Sequence, residues 1–195
     1  VKFQLFEPKT LAAENTIKTK NQNKKIKKET LFQMWERVRL NQNQVLKLKQ
    51  VSDKIKIDFF CSVFDHKSLE IINKLKIKSI KIASSDITDL PLLKKVSKTR
   101  KKVFLSTGMA SKKEILAAKN ILSNNQLTIL HCVSLYPCPY KKANLNRMIK
   151  LKKIFKTRVG YSDHCEGTDA SIAAITQGAE VIEKHFTYNK NAKGS

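Results

Sequence analysis

Short apolar runs alternate with longer amphipathic segments along the whole chain. The apolar runs are rich in β-branched and aromatic residues and are closed by polar residues or glycine, a pattern typical of buried strands. They occupy residues 1–4, 57–63, 79–84, 102–107, 127–134, 158–163 and 180–186. The amphipathic segments follow the helical period and occupy residues 41–55, 66–77, 89–98, 111–124, 144–156 and 167–179. Ser111 and Glu114, in the sequence SKKE, predict a capping box at the start of one helix.

After the first strand, the predicted strands begin about 22 to 30 residues apart, which is typical of βαβ units in a parallel sheet. An open doubly wound sheet and a closed (β/α)₈ barrel both fit this alternation. Polar residues at the ends of five consecutive strands favour the barrel, because an open sheet concentrates its chemistry at one switch point. These residues are Lys81, Ser84, Ser106, Thr107, His131, Ser134, Ser162, His164, Glu183 and His185.

Residues 5–40 are too long for an ordinary connection between two elements. They contain a lysine-rich run at residues 18–28, and residues 28–40 have the pattern of a short helix. We expect an insertion over the barrel mouth, and a disordered surface loop is the alternative.

Length and composition are those of one globular domain, with 195 residues of which 41% are hydrophobic. No apolar run approaches the roughly 18 to 20 residues of a membrane helix, and the N-terminus lacks the pattern of a signal peptide. A cytoplasmic protein without a membrane partner is therefore expected. The four cysteines form no C-x-x-C pair and are predicted to be reduced thiols.

The net charge of +23 suggests an anionic partner such as nucleic acid. However, only 5 of the 39 basic residues are arginine, the residue that base recognition favours, and the run at residues 18–28 contains no aromatic residue for stacking on bases. We therefore expect no specific nucleic-acid binding. A lysine-rich, non-enzymatic nucleic-acid-binding protein is the alternative from another class, and DNA titration at about 0.15 M salt would separate the two.

Two of the four histidines lie at neighbouring strand ends. The period of two places Glu183 and His185 on one side of their strand and aligns Ser162 with His164. Because neighbouring strands lie about 4.8 Å apart, both imidazoles can bind one divalent ion and leave positions open for a substrate. The alternative is two hydrogen-bonded barrel histidines. His131 is interpreted as a core histidine outside this pair.

A second cluster of strand-end residues has the chemistry of a phosphate site. Lys81 brings a positive charge, and Ser84, Ser106 and Thr107 bring hydroxyl groups. Gly108 follows, where the backbone is expected to approach a ligand closely. Solvated loop residues are the alternative interpretation.

Five motifs in this order and spacing resemble the catalytic domain of the sialic acid synthases, which include N-acetylneuraminate synthases and their legionaminate and pseudaminate relatives. The motifs are KIASSDITDLPLL, VFLSTGM, LHCVSLYP, VGYSDH and VIEKHFT. The resemblance spans nearly the whole chain. It implies an α/β fold, an incomplete (β/α)₈ TIM barrel in which residues 1–195 supply strands two to eight.

The resemblance also implies an enzyme that condenses phosphoenolpyruvate with an N-acylated amino sugar, such as N-acetylmannosamine, to give a nine-carbon acid and phosphate. Legionaminate or pseudaminate synthesis is the alternative within the family. Glu183, His164 and His185 match catalytic positions, and the two histidines match ligands for manganese or magnesium. Tyr136 matches a sugar-contacting position. The residues matched to the phosphoenolpyruvate site are Lys2, Gln4, Lys81, Ser84, Ser106, Ser134 and Ser162.

Some features depart from the family pattern. Cys61 and Val63 stand where serine and proline are expected. The family's first strand, with a Glu and an Asn-His motif, would precede this chain. An Asp-bearing segment and a small antifreeze-like domain, which supplies an Arg to the partner subunit, would follow it. We therefore expect an internal fragment, inactive alone, of a homodimeric parent.

Overall fold

Parallel strands alternate with helices throughout residues 1–17 and 29–189, the residues that the computed structural model describes. Contacts divide the chain into two units. Of the described residues, the first contains those before Lys78 together with residues 187–189, and the second contains Lys78–Phe186. None of the helices within the described ranges combines the length and the apolar character needed to cross a membrane.

The first unit is built on two parallel strands, β1 (Lys2–Leu5) and β2 (Phe60–Val63). Its helices are α1 (Pro8–Leu11), α2 (Leu31–Val38), α3 (Gln42–Lys54) and α4 (His66–Lys74). Thr30 and Asn41 form capping boxes at the starts of α2 and α3, and Asp65 caps α4. These side chains satisfy backbone N–H groups that a helix start leaves without partners. The unit buries Leu5, Phe6, Met34, Val45, Cys61, Val63, Leu69 and Ile72.

The segment predicted as an insertion, residues 5–40, contains α1 and α2 in its described parts. The backbone N–H of Leu31 donates to the carbonyl of Thr16 at 2.8 Å, and the ring of Phe6 packs edge-on against Trp35. The lysine-rich run at residues 18–28 lies outside the described residues. The role of residues 5–40 as an insertion over the barrel mouth stays a prediction.

The second unit is a parallel sheet whose strand order follows the chain. Its strands are β3 (Ser79–Ile82), β4 (Lys102–Ser106), β5 (Leu127–Cys132), β6 (Arg158–Asp163) and β7 (Ile182–Lys184). The helices between them are α5 (Leu90–Lys98), α6 (Lys112–Ile121), α7 (Asn146–Phe155) and α8 (Asp169–Thr176). Most residues of β3 to β6 are buried, as expected for a parallel sheet that is covered on both faces.

The elements predicted from the sequence are present, most of them with shorter ends, while β6 has its predicted bounds and β1 reaches one residue further than predicted. Ser111 and Glu114 form the predicted capping box, and α2 occupies the predicted short helix. The strand predicted at residues 127–134 ends at Cys132, so Ser134 lies beyond the strand. Among the described residues, the four cysteines are buried free thiols, as predicted.

Candidate active site

The pairing of β6 with β7 determines the geometry of the two strand-end histidines. Ser162 lies opposite Glu183 and Asp163 lies opposite Lys184, so the register joins residues 21 positions apart. His164 and His185 follow with the same offset. Their ring centroids are 5.8 Å apart. The strand–helix–strand spacing therefore brings the two imidazoles together, as the sequence predicts.

His164 is oriented by a backbone carbonyl of the neighbouring strand end. Its Nδ1 lies 2.7 Å from the carbonyl oxygen of Val133, the first residue after β5. Since a carbonyl only accepts, Nδ1 carries the proton and Nε2 keeps its lone pair. Burial lowers the pKa of His164 below its ordinary value, although the bond to Val133 and the charge of Glu183 act in the opposite direction. A neutral imidazole oriented through Nδ1 suits a metal ligand at Nε2.

The ring of Tyr136 lies against both histidines. Its centroid is 4.0 Å from that of His164 and 5.9 Å from that of His185. The Tyr136 ring is tilted by 30° against His164 and meets His185 edge-on, and 54% of the residue is exposed to solvent. The position suits contact with a substrate that binds beside the histidines.

A buried cation lies next to the histidines. Lys81 is 4% exposed, and its Nζ lies 3.7 Å from Oε2 of Glu183 and donates to the carbonyl of Ile82 at 3.0 Å. Ser162 donates to the same Oε2 at 2.5 Å and lies 3.5 Å from Nε2 of His164. A charge this deeply buried requires an opposite charge and hydrogen bonds. Lys81, Glu183, Ser162 and His164 thus form one connected polar cluster.

Ser84, one of the hydroxyl residues predicted for the phosphate site, lies close to Gly108 and Cys132. The N–H of Gly108 donates to Oγ of Ser84 at 2.9 Å, and that oxygen lies 3.0 Å from Sγ of Cys132. A Cβ at position 108 would lie 2.6 Å from Oγ of Ser134. Gly108 is therefore closely surrounded by neighbouring side chains, and the close approach of a ligand to its backbone stays a prediction.

The other predicted residues differ in their surroundings. Ser106 is buried at the end of β4, whereas the hydroxyl of Thr107 donates to the carbonyl of Leu130 at 3.1 Å and is occupied by the backbone. Lys2 and Gln4 lie on β1 in the first unit, where Nζ of Lys2 donates to Ser62 at 3.3 Å and Gln4 is exposed. The assignment of Ser106, Lys2 and Gln4 to the phosphoenolpyruvate site stays a prediction.

His131 has the surroundings of a core histidine, in agreement with its interpretation from the sequence. It is 1% exposed, and its Nε2 lies 2.8 Å from the carbonyl oxygen of Ala143. Its ring stacks on Tyr161 with centroids 5.6 Å apart.

Sequence reasoning missed the ion pair that lies behind the histidines. Asp163 and Lys184 are opposite each other on β6 and β7, and their charged atoms are 2.8 Å apart. Burial alone would raise the pKa of Asp163, but hydrogen bonds from Lys184, Ser171 and the N–H of Cys165 hold it below its ordinary value. The signal in the sequence was a pair of opposite charges with the same offset as the two histidines.

The residues fit a divalent metal ion held by two histidines. Within residues 1–17 and 29–189, no group of three or more His, Cys, Asp or Glu side chains is arranged to hold a metal ion. His164 and His185 alone would therefore supply the protein ligands, and the remaining positions would be open to substrate and water. The oriented lone pair on Nε2 of His164 and the short distance between the two rings support this fit.

A separate cavity of about 390 Å³ lies beside α7 and α8. Tyr140, Asn144, Asp169 and Gln177 are among the residues that line it. The lining includes none of the site residues predicted from the sequence. This cavity is therefore lined by other residues than the polar cluster at the strand ends.

The sequence profile of the NeuB family matches residues 1–195. The chain is 42% identical over 200 residues to the N,N'-diacetyllegionaminic acid synthase of Campylobacter jejuni, covering 100% of this chain and 60% of that protein. It is 36% identical over 167 residues to the pseudaminic acid synthase of Helicobacter pylori, covering 84% of this chain and 49% of that protein. The chain thus spans about half to three fifths of the lengths of these relatives.

A solved structure has the same fold. The N-acetylneuraminic acid synthetase of Leptospira borgpetersenii superposes with a TM-score of 0.88 at 32% identity, covering 99% of this chain and 64% of that one. With the parallel strands described above, this likeness confirms the predicted fold class, an incomplete (β/α)₈ barrel to which the described residues contribute seven strands. The chain belongs to the NeuB family, which is the sialic acid synthase family.

Proposed function

We propose that the whole protein condenses phosphoenolpyruvate with an N-acylated amino-sugar aldose to give a nine-carbon sialic-type acid and phosphate. Membership of the NeuB family and the synthase names of its relatives support a reaction of this kind. The observation that carries the proposal is the cluster of Lys81, Glu183, Ser162 and His164 at the carboxyl ends of β3, β6 and β7. The carboxyl ends of the strands are where barrel enzymes hold their reactive groups.

Phosphoenolpyruvate is an anion, and Lys81 is the cation that binds it in this proposal. Lys81 is buried and has a hydrogen bond to the carbonyl of Ile82, so its ammonium group is held in position before the substrate arrives. The serine hydroxyls at the strand ends supply donors to the phosphate and carboxylate oxygens. These are Ser84, Ser106, Ser134 and Ser162, with Lys2 and Gln4 of β1 proposed for the same site.

His164 and His185 would hold the divalent ion, manganese or magnesium. Such an ion, when bound, polarises the aldehyde oxygen of the sugar and makes the aldehyde carbon electrophilic. Val133 keeps His164 in the tautomer that offers Nε2. Tyr136 lies against both rings, in a position to contact the sugar.

In the proposed reaction, C3 of phosphoenolpyruvate attacks the aldehyde carbon, the aldehyde oxygen takes the C=O electron pair and is protonated to a hydroxyl group, and C2 develops positive charge. Water adds to C2 and loses one proton. The tetrahedral intermediate then expels phosphate by cleavage of its C2–O bond, and the remaining hydroxyl proton leaves with the phosphate as the C2 carbonyl forms. Glu183 is an acceptor beside this centre, and its carboxylate is held by Ser162 and Lys81. A carboxylate fixed in this way stabilises positive charge at C2 and accepts a proton from the attacking water. The protein accelerates this reaction mainly by positioning the two substrates and by placing charged groups beside them.

Phosphate release by the purified whole protein tests this proposal. Phosphoenolpyruvate and Mn²⁺ are supplied with N-acetylmannosamine or with the aldoses that correspond to legionaminate and pseudaminate, and the acid product is identified by mass spectrometry. We expect release that depends on both the aldose and the metal ion, from a protein that elutes as a homodimer. Release without aldose, or no release with any of the three, would contradict the proposal.

A further inference from the structure

An ion pair lies on the face of β6 and β7 opposite the polar cluster. Successive side chains of a strand point to opposite faces, so Ser162 and Glu183 share one face and Asp163 and Lys184 share the other. Both pairs are in direct register across the two strands. The side chain of Asp163 is 0% exposed and that of Lys184 is 28% exposed. This is a largely buried charge pair directly behind the site.

The two charged groups also hold the backbone that follows His164. The N–H of Cys165 donates to Oδ1 of Asp163 at 2.8 Å, and Nζ of Lys184 donates to the carbonyl of Cys165 at 2.7 Å. Lys184, the residue before His185, therefore binds both Asp163, the last residue of β6, and the carbonyl of Cys165, the residue after His164. Ser171 of α8 donates to Oδ2 of Asp163 at 2.6 Å and fixes the carboxylate from a third side.

The backbone at His164 also holds the loop that contains Tyr136 through a hydrogen bond. The N–H of Cys138 donates to the carbonyl of His164 at 2.8 Å. Movement of the backbone at residues 163–165 would therefore displace His164 relative to Val133 and also shift Tyr136. Charge-assisted hydrogen bonds in a buried setting are stronger than neutral ones and geometrically restrictive.

We infer that Asp163 and Lys184 are positioning residues, whose ion pair sets the relative height of the two strand ends and so holds the His164 and His185 rings at the spacing needed for one divalent ion. The inference rests on the proposed function in that it takes these histidines as the metal ligands. Groups behind metal ligands commonly control affinity in this way, and their loss typically weakens metal binding about 10- to 100-fold.

The amino ends of the same strands provide a matched control. Arg158, the first residue of β6, pairs with Glu180, just before β7, at 2.7 Å, and the two side chains are 42% and 36% exposed. This pair links the same two strands but holds none of the backbone next to the histidines. Arg158→Met therefore removes an ion pair between β6 and the segment leading into β7 without loosening the site.

The test is Mn²⁺ binding to the whole protein in the absence of substrates, measured by titration calorimetry for wild type, Lys184→Met, Lys184→Arg and Arg158→Met. Circular dichroism and thermal melting check that each variant is folded. We expect Lys184→Met to raise the Kd for Mn²⁺ by about 10-fold or more. Lys184→Arg should recover most of the affinity because it restores the charge, and Arg158→Met should stay within about twofold of wild type. Steady-state assays should show the Lys184→Met loss relieved by high Mn²⁺ with little change in KM for phosphoenolpyruvate.

Two further measurements keep the inference decidable. If Lys184→Met does not fold, Ser171→Ala removes a single donor to Asp163 and should weaken Mn²⁺ binding about two- to threefold, on the scale of one hydrogen bond.

If the wild type binds no Mn²⁺, the metal part of the proposed function is wrong, and imidazole NMR signals of His164 and His185 decide the inference. They should then shift in Lys184→Met and not in Arg158→Met. Unchanged Mn²⁺ affinity in folded Lys184→Met, or unchanged imidazole signals where no metal binds, would overturn it.

Discussion

The two ends of the β6–β7 pair are held together in different ways. At the amino ends, Arg158 and Glu180 form an ion pair that is open to solvent. At the carboxyl ends, Asp163 and Lys184 form a pair in which the carboxylate is fully buried and also accepts from Ser171 and from the backbone. An exposed pair contributes at most about 1 kcal/mol because water screens it. A buried pair costs more to form and restricts geometry, and it occurs at the end where the histidines lie.

Between the two ends, the strands approach each other closely at Gly160. A Cβ at this position would collide with the carbonyl oxygen of Val181 and come within 2.8 Å of Cδ2 of Leu130. The N–H of Tyr161 donates to the Val181 carbonyl at 2.9 Å. The two strands can therefore pair along their whole length only because residue 160 is a glycine.

The largest effect is expected from removing a histidine at the carboxyl end. His164→Ala or His185→Ala should lower metal-dependent phosphate release by about 1,000-fold, which corresponds to roughly 4 kcal/mol in the activation barrier. Thermal stability should change little in comparison, since the variants leave the apolar core intact. Steady-state kinetics with added Mn²⁺ and after chelation provide the measurement. Undiminished turnover by His185→Ala in metal-depleted buffer would show that this residue is not a metal ligand.

Breaking the strand pair in its middle should affect both ends together. Gly160→Ala introduces a methyl group where backbone and side chain already fill the space, and overpacking of this kind costs about 1–3 kcal/mol or somewhat more. Urea unfolding should therefore show a loss of about 3 kcal/mol. A variant as stable as the wild type would mean that the strands separate easily at this point. The rate of phosphate release by Gly160→Ala would then show whether the active site tolerates a wider spacing of β6 and β7.

Removing the buried cation should separate substrate binding from metal binding. Lys81→Met leaves Glu183 without this partner, and we expect the KM for phosphoenolpyruvate to rise about 10-fold or more, since a charged hydrogen bond contributes roughly 1.5–3 kcal/mol. The Kd for Mn²⁺ should change much less. Lys2→Met should act in the same direction if β1 contributes to the site. A change in Mn²⁺ affinity with an unchanged KM would reverse the proposed roles of Lys81 and the histidines.

The smallest effect is expected at the amino end. Arg158→Met should lower the free energy of unfolding by less than about 1 kcal/mol, because the ion pair is exposed. Both kcat and the KM for phosphoenolpyruvate should match the wild type. Thermal melting and steady-state kinetics are the measurements. A loss of activity here would mean that the two ends of the strands are coupled, contrary to the difference described above.

Much of the candidate site could be predicted because strand periodicity and parallel pairing are local rules. Alternation placed Glu183 and His185 on one face, and the spacing of 21 residues placed His164 beside His185. The crowding around Gly108 was not foreseen because its neighbours, Ser134 and Cys132, come from another strand end and are invisible to a local pattern. The bond from Thr107 to the Leu130 carbonyl was missed for the same reason.

The sequence by itself determined the strand and helix order, the family, and which strand ends carry polar chemistry, since these follow from periodicity and short motifs. Only the tertiary structure decided how the strand ends are held. It showed that β5 ends early enough for Val133 to orient His164. It also showed that Asp163 and Lys184 hold the backbone behind the histidines. The physical reason is that the bond from His164 to Val133 and the bond from Lys184 to Cys165 join residues 31 and 19 positions apart, and their distances depend on how neighbouring strands and loops pack.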